Sequence, residues 1–285
     1  MSAHLIIHDS SFPQWWLSPD IWVVPGADPN GPPGSPIAGK PAYLWTRISN
    51  TGNVAAKGTR VDFYWANPSA QVVVGVATQI GSAFVDLEPG DTQEVLCLVA
   101  WIPVIVNGGH ECLLAVSHGA GDTNPIPDPL PNGYPFDPPS HDQIAQLNLS
   151  VLEAMQMAPL SFCVTAMGRS EKQAHLAVEF GREVDELVLA QMGVHDLRPA
   201  KKNVVEVFLS RELHNDEHPD PHGKAELEVD VPRGTWVPVF ATIHAQHLAH
   251  KEYQLVHIVE RNAGKIVGGV SYLVVNRRGH QEKQS

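Results

Sequence analysis

Apolar and polar residues alternate most clearly in two neighbouring segments, 42–49 (AYLWTRIS) and 59–65 (TRVDFYW). A polar, turn-rich link, Asn50-Thr51-Gly52-Asn53, lies between them. Successive side chains of a strand point to opposite faces of a sheet, so this alternation predicts strands whose two faces have different surroundings. We expect the two segments to be neighbouring strands of a β-sandwich.

Strand-like runs separated by turn residues continue along the chain, for example on both sides of Glu88-Pro89-Gly90-Asp91. The clearest hairpin is YQLVHIVERNAGKIVGGVSYLVV, in which Asn262-Ala263-Gly264 provides the turn. The segment IAQLNLSVLE, from Ile144, is predicted to be the last strand of a first domain. The exception is 184–195 (VDELVLAQMGVH), whose apolar spacing also suits one short helix.

Two segments rich in proline, 25–41 and 119–141, are predicted to be irregular loops. The second is long for a compact domain, and such loops are usually functional or mobile. It could hold Ca²⁺ through Asp122, Asp128 and Asp137, but its prolines favour an extended surface loop.

Composition agrees with many short strands joined by turns. The chain has 285 residues, of which 24 are proline and 23 glycine, and 43% are apolar. That apolar fraction can supply real cores, and the length suits either one large domain or two sandwiches. The fold class is therefore predicted to be all-β.

The formal net charge is −12, and it is concentrated in the first half, where residues 1–152 carry 13 acidic and 4 basic side chains. A surface so poor in Lys and Arg repels phosphate backbones and anionic lipid. We therefore expect no nucleic-acid partner and no membrane insertion. No apolar run approaches the length needed to span a bilayer, and the N-terminus lacks the features of a secretory signal. The expected location is cytoplasmic, or exported without a cleaved signal.

The first half resembles the bacterial and archaeal CARDB domains, which are immunoglobulin-like modules related to cell adhesion. The similar pieces are PDIWV at residue 19, AYLWTRISNTGNVAA with its Asn-x-Gly turn, RVDFYW and LEPGDTQEV. The closing turn, His141-Asp142-Gln143-Ile144, departs from the usual pattern. The resemblance implies an immunoglobulin-like sandwich over about residues 18–152.

We therefore predict two immunoglobulin-like β-sandwich domains in tandem. The predicted organisation is an N-terminal arm at 1–17, the CARDB-like sandwich at 18–152, a second sandwich at 153–276 and a disordered tail at 277–285.

Known catalytic motifs are absent from the sequence, and we expect neither an enzyme nor a bound cofactor. The densest group of possible metal ligands is His214, Asp216, His218 and His222. An exposed loop is favoured there, so no metal is assigned, and a metal-binding accessory or metal-dependent enzyme stays as an alternative. Cys97 and Cys112 lie in apolar runs and are either buried thiols or one disulfide.

The resemblance places Leu44 and Ile48 inward, which leaves aromatic and charged side chains on the outer face. Such faces are usually covered, by a partner or by the same chain. We predict binding residues on this face and in the arm: Trp15, Trp16, Tyr43, Trp45, Arg47 and Tyr64. Intramolecular cover by the arm or the second domain is the alternative.

The predicted function is non-catalytic protein binding or assembly, with a protein partner or another copy of the chain, as a homo-oligomer or a structural subunit of a larger complex. A carbohydrate-binding module that uses the same aromatic residues is a further alternative.

Overall fold

A computed structural model of the chain describes residues 2–9, 14–67, 72–104, 111–154, 160–167, 173–181, 183–212, 225–232, 235–245 and 247–277. Contacts divide the chain into two compact units. Unit 1 comprises Met1–Asn67, Val72–Asn148 and Asp185–Gly193, and unit 2 comprises Pro68–Gln71, Leu149–Val184 and Val194–Ser285.

The described part of unit 1 has two antiparallel sheets. Its strands are β1 (Leu5–Ile6), β2 (Ile21–Pro25), β3 (Ala42–Asn50), β4 (Ala56–Ala66), β5 (Thr78–Leu87), β6 (Thr92–Leu96), β7 (Cys112–His118) and β8 (Ile144–Leu147). In the first sheet, β3 pairs with β1 and β2 along one edge and with β6 along the other. The second sheet has the order β5-β4-β7-β8.

The two segments that alternate most clearly in the sequence are strands β3 and β4, as predicted, but they are not neighbours. Both edges of β3 are already paired, so β4 belongs to the other sheet. The link between Thr51 and Ala55 therefore connects the two sheets. Leu44 and Ile48 of β3, and Val61 and Phe63 of β4, are fully buried, as expected for strands that each turn one face to the core.

Asn50, at the end of β3, is fully buried and binds three separate segments. Its Oδ1 accepts hydrogen bonds from the backbone N–H groups of Gly52 (3.1 Å) and His4 (3.2 Å). Its Nδ2 donates to the carbonyl oxygen of Val54 at 2.9 Å and to that of Leu87 at 3.3 Å. One amide thus joins the N-terminal residues, the link to β4 and the end of β5.

The described part of unit 2 is a second sandwich. Its strands are β9 (Leu149–Glu153), β10 (Leu160–Met167), β11 (Gln173–Gly181), β12 (Arg198–Pro199), β13 (Glu206–Ser210), β14 (Glu226–Asp230), β15 (Trp236–His244), β16 (Glu252–Asn262) and β17 (Lys265–Val275). One sheet has the order β10-β15-β13, and the other has β14-β11-β16-β17-β9 with β12 beside β16. Buried residues from both sheets, such as Val239 and Ile258, form one core.

The predicted hairpin is present as β16 and β17, which are joined by Ala263 and Gly264. Both turn residues have positive φ, 49° and 78°, as a type I′ turn requires. The segment predicted as one closing strand divides at Asn148: β8 pairs with β7 in unit 1, and β9 pairs in parallel with β17 in unit 2. This places the boundary of the units between Asn148 and Leu149.

The segment predicted as a possible helix contains α1 (Glu186–Gln191), and the side chain of Asp185 caps it by accepting a hydrogen bond from the N–H of Leu187. Although its neighbours in sequence belong to unit 2, residues Asp185–Gly193 belong to unit 1. None of the described helices is long and apolar enough to cross a membrane. The predicted tail falls mostly outside the described residues, which end at 277.

The N-terminal residues pack so closely on Gly52 that we predict a strong effect of a methyl group there. A Cβ at Gly52 would lie 2.5 Å from both the backbone nitrogen of His4 and the carbonyl oxygen of Ser2. Gly52→Ala should lower the free energy of unfolding by about 1–3 kcal/mol, as in other overpacked sites, and should speed amide exchange in residues 2–9. Gly34→Ala is the control, since its Cβ would make contacts of 3.5 Å or more. Equal stability of the two variants in urea titrations would contradict the prediction.

Candidate functional site

Tyr43, Trp45 and Arg47 lie on the outer face of β3 and are half-buried, while Leu44 and Thr46 between them are fully buried. The strand register places Trp45 opposite Trp22 of β2, and the two rings stack with centroids 6.0 Å apart. The predicted alternation of faces is therefore confirmed for β3.

Arg47 has acidic partners on both sides. Its Nη1 donates to Oδ1 of Asp20 at 3.2 Å, and its Nη2 donates to Oε1 of Glu94 at 3.1 Å. Its guanidinium carbon lies 5.8 Å from the centre of the Trp22 ring, within the range of a cation–π contact. Asp20, which is buried, also accepts from Nδ1 of His8 at 2.7 Å. Arg47 is thus engaged inside unit 1.

Segments of unit 1 itself cover part of this outer face. The indole Nε1 of Trp45 donates to the carbonyl oxygen of Pro29 at 3.0 Å. Near α1, the side-chain amide of Gln191 donates to the carbonyl oxygen of Pro19, and the hydroxyl of Ser35 donates to the carbonyl oxygen of Met192. The loop at 26–41 therefore covers part of this face at Trp45.

The two tryptophans of the predicted arm lie in the interior of unit 1. Trp16 is fully buried and Trp15 nearly so, and their rings meet edge to face at 5.5 Å. The carbonyl oxygen of Trp16 accepts a hydrogen bond from the backbone N–H of Asn148. With both rings in the interior, these two tryptophans are placed to stabilise the fold, and they offer little surface to a partner.

Tyr64 was predicted to join the same outer face, and this placement is wrong for two reasons. It lies on β4, in the other sheet, and it is buried. The ring packs against Phe136 with centroids 5.2 Å apart, in a cluster that includes Ile126 and Leu114. Burial raises the pKa of Tyr64 to about 12. The proline-rich loop at 119–141 therefore packs on the outer face of the second sheet instead of extending into solvent.

The same face of β4 carries a buried charge cluster centred on Asp62. Nε of Arg60 donates to both carboxylate oxygens at 3.1 Å, and the hydroxyl of Ser82 donates to Oδ1 at 2.6 Å. Nε2 of His118 lies 3.3 Å from Oδ2, but without the alignment of a hydrogen bond. Burial alone raises the pKa of Asp62, but His118, Ser82 and Arg60 together bring it below its ordinary value.

This cluster has the residue types of a catalytic triad without its connections. A triad needs a serine that donates to a histidine, whereas Ser82 donates to the carboxylate. Nη2 of Arg60 also donates to Asp128 of the proline-rich loop at 2.6 Å. The cluster therefore holds that loop against the sheet by charge-assisted contacts.

One side of unit 1 is open in both sheets. In the described part of the chain, β5 pairs only with β4, and β6 pairs only with β3. The turn at Glu88–Asp91 joins these two edge strands, so their unpaired edges belong to the same side of the sandwich. We call this region the open side: strand β5 together with residues 92–104.

The open side exposes large apolar side chains. Leu98 is 77% exposed, Phe84 70% and Ile102 58%, and Val99 and Val104 are also exposed. A Cβ on Gly81 of β5 would lie 2.8 Å from Cγ2 of Val99, so Val99 packs against one face of β5 at Gly81. Sequence reasoning missed these residues, although the run 95–104 (VLCLVAWIPV) without any charge was a visible signal.

The described residues support neither a metal site nor a disulfide. They contain no group of three or more His, Cys, Asp or Glu side chains that could hold a metal ion. The cluster of His214, Asp216, His218 and His222 lies in 213–224, outside the described residues, so metal binding there stays a prediction. Cys97 and Cys112 are both buried and free, which corrects the possibility of a disulfide between them.

The strand pairing defines the class of the protein: it is nearly all-β, with two sandwich units. No family model and no curated protein matches the chain. Among solved structures, it is similar to a CARDB domain of Pyrococcus furiosus, solved in complex with di-metal ions. That match has 16% identity and a TM-score of 0.26, and it covers 45% of this chain and 84% of that domain. The predicted resemblance to CARDB domains is confirmed for this share of the chain.

Two further structures are similar to the chain. CBD12 from CALX1.2 has 11% identity and a TM-score of 0.19, with 81% of this chain and 92% of that one covered. A β-glucosidase from Kluyveromyces marxianus has 17% identity and a TM-score of 0.21 over 39% of this chain, which corresponds to 14% of that enzyme.

Glu111 gives a prediction about pH. Its Oε1 accepts the N–H of Val104 at 2.8 Å, and burial raises its pKa from 4.5 to about 7. Between these values the folded protein holds a proton that the unfolded chain has lost, so the free energy of unfolding should fall as pH rises from about 4.5 to 7. The loss attributable to Glu111 should be at most about 3 kcal/mol.

The measurement is urea unfolding at a series of pH values for the wild type and Glu111→Gln. The difference between the two curves isolates the contribution of Glu111. The variant should decline less steeply with pH. Parallel curves would show that Glu111 is not protonated in the folded protein.

Proposed function

We propose that this protein acts without catalysis, by binding a protein partner through the open side of unit 1. The observation that carries the proposal is the exposure of Leu98, Phe84 and Ile102 beside two unpaired strand edges. Soluble proteins rarely leave a large contiguous apolar surface in water, and such surfaces usually bind a partner.

The chemistry of the open side suits a protein better than other ligands. Unpaired backbone groups along an edge strand accept an added strand, and apolar side chains beside them add affinity and selectivity. Residues 95–104 and 76–85 carry no charged side chain, which gives phosphate or carboxylate ligands no cation to bind. The aromatic face predicted from the sequence supports a binding role less well, because unit 1 covers part of it and the charge of Arg47 is already paired.

Leu98→Lys and Ile102→Lys test the proposal, with Ile37→Lys as the matched control. Ile37 is also apolar and 50% exposed, but it lies in the loop at 26–41. Proteins that copurify with the tagged wild-type chain are identified, and each is then titrated in pure form against the wild type and the variants, as is the chain itself.

Each open-side variant should weaken the interaction at least tenfold, because a buried Leu or Ile contributes roughly 1.5–3 kcal/mol and the new charge must be desolvated. The control should bind as the wild type does, and all three variants should unfold within about 0.5 kcal/mol of it, as is usual for surface changes. Binding that survives both open-side substitutions would refute the proposal, and so would a wild-type chain that associates with nothing.

A further inference from the structure

We propose that the partner at the open side is a second copy of this chain, joined by antiparallel pairing of β5 with β5 of the other copy. The inference rests on the proposed function and names its partner. Strand β5 is ten residues long, from Thr78 to Leu87, and in the described residues it has no strand on its outer edge.

The first argument is that the middle of β5 lacks the usual protection of an edge strand. Natural sheets shield such edges with proline, inward-pointing charge, bulges that twist the edge away or very short strands. Residues 78–85 (TQIGSAFV) contain no proline and no charge. The pairing with β4 has two irregularities, one beside Ile80 and one beside Asp86, and between them Gly81 to Val85 form a continuous regular stretch.

The distribution of charge along the chain supports a second copy as the partner at the open side. The chain carries a net charge of −12, so two copies repel each other across most of their surfaces. At the open side this repulsion is weakened, because 76–85 and 95–104 are uncharged and the charged residues are Asp86 and Glu94 alone. An antiparallel pairing of identical strands is also closed by a two-fold axis, so it stops at two copies.

The geometry allows this pairing without opposing like charges. With the two-fold axis beside Ala83, the regular stretch from Gly81 to Val85 pairs with the same stretch of the other copy, and Phe84 lies opposite Ser82. Asp86, the one charged residue of β5, lies outside this stretch. The two Phe84 rings become diagonal neighbours on one face, about 7–8 Å apart, within reach of aromatic side chains.

The apolar segment beside β5 supports the same arrangement. Leu98 and Ile102 are exposed, and Val99 lies against Gly81 near the middle of β5. A strand added along β5 would bring the same segment of the second copy next to them. Pairing thus removes both unpaired backbone groups and apolar side chains from water, as a stable interface requires.

The test uses the full-length chain and two opposite substitutions of one residue. The mass of the wild type, Phe84→Lys, Phe84→Glu and the control Ile37→Lys is measured by sedimentation equilibrium, where one chain has a mass of 31.0 kDa. The wild type and the control should form dimers. Each Phe84 variant alone should raise the dissociation constant at least tenfold, since the pairing places like charges diagonally.

An equimolar mixture of the two Phe84 variants should restore dimers, because a Lys and a Glu then become diagonal partners. Native mass spectrometry identifies the mixed dimer by its mass. A structural defect at Phe84 would not be rescued by mixing, so the rescue separates pairing from misfolding. Failure of the mixture to form mixed dimers would overturn the inference.

Two other results would also overturn it. A wild type that stays at the mass of one chain excludes the second copy, while binding of a different protein that Leu98→Lys abolishes would leave the proposed function intact. A dimer that resists both Phe84 substitutions places the contact between copies elsewhere.

Discussion

The buried amide of Asn50 is the interaction on which unit 1 depends. It contacts the N-terminal residues through His4, the link to β4 through Gly52 and Val54, and the end of β5 through Leu87. The backbone of Asn50 also pairs with Gly90 and Asp91, in the turn between β5 and β6. Buried amides must satisfy every donor and acceptor, so Asn50 holds these segments together. The positions of β5 and β6 at the open side therefore depend on Asn50.

Loops cover part of both outer faces of unit 1, whereas in the described residues no strand covers the outer edges of β5 and β6. The loop at 26–41 contacts the outer face of the first sheet, and the loop at 119–141 covers part of the other through Phe136 and Ile126. The edge formed by β5 and β6 has no such cover among the described residues. Proline-rich loops that look like exposed connections in the sequence thus complete the packing of unit 1.

The ionisable residues of unit 1 serve mainly to hold elements together. Asp20 joins His8 to Arg47, and Asp62 joins Arg60, Ser82 and His118. Buried ion pairs of this kind are costly to break, because removal of one partner leaves an unpaired charge inside the protein. They fix how the arm and the loops dock, and their connections do not activate a nucleophile.

The sequence by itself determined the strands, their inward faces and the main turns, because alternation and turn residues are local properties. Leu44 and Ile48 were correctly placed in the core, the hairpin at Ala263-Gly264 was recognised, and 184–195 was noted as suiting one short helix. Only the tertiary structure decided which strands pair. Distant segments pair with both edges of β3, so β4 belongs to the other sheet. Tyr64 of β4 therefore lies on a different face from Trp45. The open side could not be predicted for the same reason, because whether the edge of a strand is paired depends on the positions of all the other strands.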